Sequence, residues 1–339
     1  MATPTPTPNP YKPVIGILTH PRRSDDGKII PGSIIRTSYV KFVKSAGATA
    51  IPLIYHEDPV QIRKKLNLVN GVLLTGGWAI KHDQRVKNVK TDKEVEIDKY
   101  VETVGIIFEY VKKRNDDVGP FPLYAICLGF EHITKIVSEV GSATWTKDVM
   151  SNNPPRLSGL GTGYENNILE KFNALDHPST LDFVVDKKAL KGSIFESFPQ
   201  DLLDKLCKDR IVYQHHGFGI SREKLLDNEK LSSFFQILTT SKDRYDKEYV
   251  STVRSYKYPI TGFQWHPEKN AFERGSRNIP HTDDAIEVTL LAARFLVSEA
   301  SKSSKRPVAE ELMTYLISDD RDAFAFGGNA EEGCEVYIF

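Results

Sequence analysis

Phe121-Pro122-Leu123-Tyr124-Ala125-Ile126-Cys127-Leu128-Gly129-Phe130-Glu131 carries a short apolar run into a cysteine, then a glycine, then a carboxylate. Pro120 and Pro122 break whatever precedes, so Phe121 to Ile126 reads as a buried strand, and a helix over 128–140 follows it without a linker. A strand turning straight into a helix displays the turn residue at the carboxyl end of a parallel sheet, where open α/β sheets bind their ligands. Ala125 and Gly129, two before and two after the cysteine, are small enough for the close backbone approach a sharp turn requires.

Working back toward the amino end, the chain alternates between strand and helix. Pro13 to Leu18 reads as a first strand, Ser38 to Ala46 as a helix, Ala48 to Ile54 as a second strand and Pro59 to Leu68 as a helix. Gly71 to Leu74 is a third strand, ending in Thr75-Gly76-Gly77-Trp78. A longer helix follows, with Ile97, Val101, Val104, Phe108 and Val111 at helical spacing and Thr91 and Glu94 as a capping box. These strands are apolar almost throughout instead of at every second residue, which implies burial on both faces. The fold expected is α/β, a mostly parallel central sheet flanked by helices on both faces.

The second half is less regular. Leu181 to Val185 and Phe235 to Thr239 read as strands and Gln200 to Lys208 as a short helix. Tyr249 to Arg254 and Ile260 to Gln264 read as an antiparallel pair, and Asp284 to Glu299 as an amphipathic helix. A Pro/Thr arm over 1–12, one catalytic domain over 13–300 with a Ser/Asn/Pro/Gly-rich insertion at 141–164, and a tail over 301–339 complete the organisation. The tail ends in Val336-Tyr337-Ile338-Phe339, an apolar terminus expected to dock on the body.

The 339 residues are 40% hydrophobic and 27% charged, enough for a large core. Basic and acidic residues balance at 45 each, which leaves no net field to draw nucleic acid or an anionic membrane and favours a small partner. No apolar stretch approaches the roughly 18 residues of a spanning helix, and the first residues have neither the basic nor the apolar region of a signal peptide. Three cysteines are too few for a disulfide framework in a chain this long.

Cys127 precedes a helix, whose N-terminal partial positive charge favours thiolate over thiol. An inert core cysteine is the competing reading for a cysteine taken alone. The balance shifts with Gly262-Phe263-Gln264-Trp265-His266-Pro267-Glu268-Lys269, far along the chain, which sets an imidazole after an apolar strand and a carboxylate two residues on. In extended backbone His266 and Glu268 point the same way, giving nucleophile, base and orienting carboxylate. Gly76 and Gly77 offer backbone amides unobstructed by a Cβ, and the Leu128 amide follows the nucleophile, so these three are the candidate oxyanion donors. Glu131, one helical turn after Cys127, is placed either to hold a substrate ammonium or to interact with the helix dipole. His215 and His216 follow a short apolar strand. Adjacent strand residues face opposite ways and chelate poorly, so no metal is expected and at most one of the two faces the site.

Taken together, Ile15-Gly16-Ile17-Leu18-Thr19-His20-Pro21, Thr75 to Trp78, Cys127 to Glu131, Gly262 to Lys269 and the closing Val336 to Phe339 resemble the γ-glutamyl hydrolase family, plant members above all, within the class I glutamine amidotransferase-like fold. The resemblance implies a thiol peptidase, without cofactor, that cuts γ-linked glutamates from folyl and antifolyl poly-γ-glutamates through a γ-glutamyl thioester. It implies Cys127 as nucleophile, His266 as base and then acid, Glu268 as orienting carboxylate, and Glu131 and His216 on the substrate side. It also implies a homodimer and a vacuolar or extracellular location, whereas the chain shows no leader. Ala125 stands where many members carry glycine, which implies a slightly displaced turn. Two other functions fit the same residues: a glutaminase subunit passing ammonia to a partner, and a γ-glutamyl- or folate-binding protein with little turnover.

Overall fold

The computed structural model describes residues 11–24, 27–79, 92–139, 168–318, 323–326 and 334–339. Most of the Pro/Thr arm, Thr91 of the capping pair and the 141–164 insertion lie outside these residues. Tyr11, assigned to the arm from sequence, donates to Asn70 Oδ1 at 2.5 Å and lies against the Arg306 guanidinium, 3.9 Å from its ring centre.

In chain order the amino-terminal half runs β1 (Val14–Leu18), β2 (His20–Arg23), β3 (Ile29–Arg36), α1 (Thr37–Ser45), β4 (Thr49–Leu53), α2 (Pro59–Leu66), β5 (Gly71–Leu74), α3 (Asp92–Asp117), β6 (Leu123–Ile126) and α4 (Leu128–Glu139). The remainder runs β7 (Glu170–Ser179), β8 (Asp182–Phe183), α5 (Gln200–Lys208), β9 (Val212–Gly219), α6 (Arg222–Asp227), α7 (Glu229–Phe234), β10 (Phe235–Lys242), β11 (Glu248–Ser255) and β12 (Ile260–Phe263). It closes with α8 (Lys269–Phe272), α9 (Asp283–Ser301), α10 (Ala309–Met313), β13 (Phe324–Phe326) and β14 (Cys334–Ile338).

Eight strands form the central sheet in the order β4-β1-β5-β6-β12-β11-β10-β8. The first five are mutually parallel, and β11, β10 and β8 continue the sheet antiparallel. The parallel strands are apolar on both faces because helices cover both. Along β6 the side chains divide: Leu123 and Ala125 join the core beneath α2, α3 and α4, while Tyr124 and Ile126 join the core beneath α1 and α9. Local chemistry fixes the helix starts. Asp58 accepts from the Val60 amide ahead of Pro59 in α2, and Thr282 accepts from Ala285 ahead of Asp283 and Asp284 in α9.

Two further sheets depart from the sequence expectation. His20–Arg23 and Ile29–Arg36 form a hairpin that continues into β14 and β13, and β7 pairs antiparallel with β9. The strand expected at 181–185 shortens to the two residues of β8, whose ladder partners at the sheet edge are Thr239 and Thr240. His215 and His216 lie within β9, not after a strand. The last residues are held in register, with Ser33 and Phe339 exchanging both backbone hydrogen bonds at 2.9 Å.

Candidate active site

The carboxyl ends of β1, β5, β6 and β12 converge on one edge of the sheet, and the candidate residues sit just beyond them. The Cys127 amide donates to the Phe263 carbonyl at 2.6 Å, which ties the end of β6 to the end of β12. Parallel pairing of Ile126 with Phe263 thus brings the two distant segments level. Cys127 has φ of 50°. A non-glycine residue held there stores backbone strain, the mark of an elbow that thrusts its side chain out of the turn. Gly129 makes the elbow possible, since a Cβ on it would stand 2.7 Å from Leu74 Cβ and 2.9 Å from the Leu74 carbonyl oxygen. Ala125, where a displaced turn was expected, is fully buried between Leu74 and Gly262 in the paired register.

His266 Nδ1 donates to Glu268 Oε1 at 2.8 Å, with both side chains buried. The backbone here corrects the sequence expectation: Glu268 is helical (φ −80°, ψ −13°) and caps α8, so the carboxylate reaches the ring around a turn instead of along extended chain. With Nδ1 committed as donor, Nε2 carries the lone pair, and it has no hydrogen-bond partner among the described residues. A Cβ on Gly76 would lie 2.9 Å from His266 Cε1 and 3.4 Å from Cys127 Cβ, so imidazole and nucleophile candidate flank the same glycine.

Burial pushes the Cys127 pKa up, with the Glu131 and Glu268 charges adding to the effect, and the Leu128 amide and Lys269 oppose it without prevailing. Desolvation thus works against the thiolate that the helix terminus by itself favours. Sγ contacts the His215 carbonyl at 3.8 Å. Such a buried thiol needs a base to take its proton at the moment of attack.

The three expected oxyanion donors divide. Leu128 N–H points toward the Cys127 sulfur and lowers its pKa. Gly76 N–H is engaged, donating to the Tyr39 hydroxyl at 2.8 Å, so it is not an open donor as the sequence suggested. Gly77 has its backbone exposed, and a Cβ there would fall 2.2 Å from His20 Nε2. Its glycine is required by this neighbour as well as by any approach of substrate.

Glu131 is buried and accepts from Gln264 Nε2 at 3.1 Å. Burial raises its pKa to about 7, against the pull of Gln264 and Lys135. His216 is also buried. Its Nδ1 donates to the Phe218 carbonyl at 2.8 Å, its ring meets Tyr249 edge-on at 4.7 Å, and desolvation lowers its pKa to about 3. His216 Nε2, Gln264 Oε1 and Glu268 Oε2 are buried without a hydrogen-bond partner among the described residues. Buried polar atoms of that kind call for a ligand or an ordered water. His215 takes a different part, Nδ1 accepting from the Asp176 amide at 3.2 Å. Asp176, itself at φ 48°, also accepts from Tyr213 and Ser276, and the Tyr213 carbonyl accepts from the His266 amide at 2.9 Å. Tyr39, Asp176, Tyr213 and Gln264 support the site, and their spacing in the sequence carried no sign of it, since each acts through a contact made only by the folded chain. Among the described residues, no group of three or more His, Cys, Asp or Glu side chains is arranged to hold a metal.

A parallel α/β sheet with a strained cysteine elbow, an imidazole and a carboxylate at its carboxyl edge belongs to the class of cysteine-type hydrolases, and residues 13–144 match the Peptidase C26 family. Over 340 residues the chain is 44% identical to Gamma-glutamyl hydrolase 1 of Arabidopsis thaliana, a match covering 99% of this chain and 85% of that protein. It is 43% identical to Gamma-glutamyl hydrolase of Glycine max, covering 97% and 85%, and 30% identical to that of Bos taurus, covering 98% and 92%. The chain belongs to the γ-glutamyl hydrolase family.

Proposed function

We propose that this hydrolase cleaves γ-glutamyl bonds of folyl and antifolyl poly-γ-glutamates, with Cys127 as nucleophile, His266 as general base and acid, and Glu268 as the carboxylate that orients and stabilises the imidazolium. The observation that carries the reading is the His266 ring pinned through Nδ1, its Nε2 unpartnered, beside the same glycine as the strained Cys127. Sγ attacks the side-chain amide carbonyl carbon of a γ-linked glutamate while its proton passes to Nε2. The oxyanion is held by Leu128 N–H and by Gly77 N–H of the neighbouring turn. Collapse returns the proton from Nε2 to the leaving nitrogen, breaks the C–N bond and leaves a γ-glutamyl thioester on Cys127. Water, deprotonated by Nε2, attacks the thioester carbon, and the departing sulfur recovers a proton as the acid product leaves. Glu131 and His216 flank the substrate, the first suited to an ammonium and the second to a carbonyl or carboxylate.

Chromatographic analysis of products from a folyl penta-γ-glutamate tests the proposal. Release of glutamate or short γ-glutamyl peptides is expected, lost in Cys127→Ala while binding persists. Ammonia from free glutamine without release from the polyglutamate would favour a glutaminase subunit, and tight binding without turnover in the unaltered chain would favour a binding protein. The vacuole or the cell exterior, and a homodimer, accompany the family reading; fractionation and sedimentation would test them. Among the described residues, no helix is long and apolar enough to cross a membrane.

A further inference from the structure

Beside the proposed oxyanion donors, the turn 75–79 has no regular structure to hold it, and side chains from elsewhere in the chain and the Leu18 carbonyl engage several of its polar groups. Thr75 Oγ1 donates to the Leu18 carbonyl at 3.1 Å, Gly76 N–H to Tyr39, and the Ala79 carbonyl accepts from His132 Nε2 at 2.9 Å. At the centre of this arrangement is His20, which the mechanism does not use. Its Nδ1 lies 3.0 Å from the Pro21 carbonyl and so carries the proton; its Nε2 then accepts from two successive amides, Trp78 at 3.0 Å and Ala79 at 3.3 Å.

We infer that His20 is a positioning residue for the reaction: by gathering the Trp78 and Ala79 amides at one ring nitrogen it fixes the Gly76–Gly77 turn against Cys127 and His266. The inference rests on the hydrolase reading above. Three observations argue for it. The ring is 6% exposed, so no bulk water can stand in as acceptor for these amides. The ring and Gly77 are fitted to each other, since a Cβ on Gly77 would lie 2.2 Å from Nε2 and 2.3 Å from Cδ2. The ring is in turn held edge-on by Trp78 at 5.0 Å and Tyr100 at 5.6 Å, so it cannot swing away.

Burial, assisted by Arg36, Arg23 and His132, lowers the His20 pKa to about 3 against the pull of the Pro21 carbonyl. The imidazole therefore keeps its accepting lone pair through mildly acid pH. A donor placed even 1 Å out of line costs about 100-fold in rate, so a turn with its amides unanchored is expected to act on kcat.

The test compares His20→Phe, which fills the space without an acceptor, with His20→Gln, which restores one, using kcat, KM and the thermal midpoint on a folyl penta-γ-glutamate. His20→Phe is expected to lower kcat about 100-fold with KM changed less than about threefold, and His20→Gln to recover at least about tenfold of that loss. Equal kcat loss in both variants, following their thermal midpoints, or wild-type kcat in His20→Phe, would overturn the inference. Should His20→Phe fail to fold, Gly77→Ala and its combination with His20→Ala decide. Relief of the Gly77→Ala defect when the ring is removed supports the fitted pair, and simple additivity of the two losses contradicts it. Amide exchange at Trp78 and Ala79 separates this inference from the hydrolase reading. A chain that releases no glutamate sinks that reading, while faster exchange in His20→Phe than in His20→Gln still demonstrates the hold, and unchanged exchange refutes it.

Discussion

At the scale of single residues, the candidate site sets a cysteine whose pKa burial raises beside an imidazole whose direction is set by one carboxylate. Glu268→Gln keeps the shape of that partner but accepts a hydrogen bond less strongly and can turn its amide toward Nδ1, which favours the wrong tautomer. A 1,000- to 10,000-fold fall in kcat/KM is expected, in line with the roughly 10⁴-fold effect of the equivalent change in a serine triad, measurable by glutamate release. Glu131 makes a different prediction. Burial raises its folded pKa to about 7 from an ordinary 4.5, whereas the unfolded chain ionises at the ordinary value. Between those two pH values the folded state holds the extra proton, so stability falls as pH rises through the window. Urea unfolding at pH 4.5 and 7.5 should show a loss on the order of 3 kcal/mol in the unaltered chain that is largely absent from Glu131→Gln. An equal pH response in both chains would show that Glu131 ionises normally. Cys127, His266 and Glu268 are legible as candidates because a cysteine between an apolar strand and Gly129, and an imidazole and carboxylate two residues apart after another apolar strand, are patterns local in the sequence. Tyr39 and His20 are not, since a tyrosine and a histidine gain their parts only from which backbone amides they meet.

At the scale of elements, the strand-turn-helix around Cys127 is readable because every feature is local: two prolines, four apolar residues, a cysteine and a glycine. The reason for the glycine is not local. Gly129 lies against Leu74 of β5, and a Cβ there would come within 2.9 Å of a backbone carbonyl that cannot yield cheaply. Gly129→Ala should therefore destabilise the fold by about 1–3 kcal/mol and shift the elbow, seen as a lower thermal midpoint together with reduced turnover; an unchanged midpoint would place the close contact elsewhere. The hairpin β2–β3 escaped the sequence reading because Pro21 and Pro31 and the polar residues between argue for loop. Its pairing is supplied from outside, by β14, whose Val336, Tyr337 and Ile338 align with Arg36, Ile35 and Ile34. The two histidines of β9 read as following their strand for a similar reason: Gly217 and Gly219 signal a turn, yet β7 carries the pairing past them, with His216 opposite Ala174 and Gly219 opposite Glu170. Removing residues 334–339 should expose β3 and lower the thermal midpoint by several degrees, for a chain this size roughly 2–4 °C per kcal/mol.

Across the whole molecule, function follows from topology. Five parallel strands bring residues from both halves of the sequence to one edge, while α1 and α9 on one face and α3 and α4 on the other bury the sheet and fix that edge. Alternation of strand and helix made this much apparent from sequence. The antiparallel extension through β11, β10 and β8 was only partly apparent, because a central antiparallel strand carries the same apolar pattern as a parallel one. Ligand binding at the edge should couple to global stability. A poly-γ-glutamate at about 100 times its Kd should stabilise Cys127→Ala by about 2.7 kcal/mol, read as a rise in thermal midpoint, whereas no rise at any concentration would mean that the edge is not the binding site.

In the proposed reaction the Cys127 sulfur becomes covalently acylated while His266, carried to it by β12, moves the proton. Acid quenching of the enzyme during turnover of a folyl penta-γ-glutamate, followed by peptide mass spectrometry, tests it most directly. A γ-glutamyl adduct on the peptide containing Cys127, absent from Cys127→Ala and greatly reduced in His266→Ala, is the expected result. Continued release of glutamate by Cys127→Ala, or turnover with an adduct on any other residue, would contradict the account.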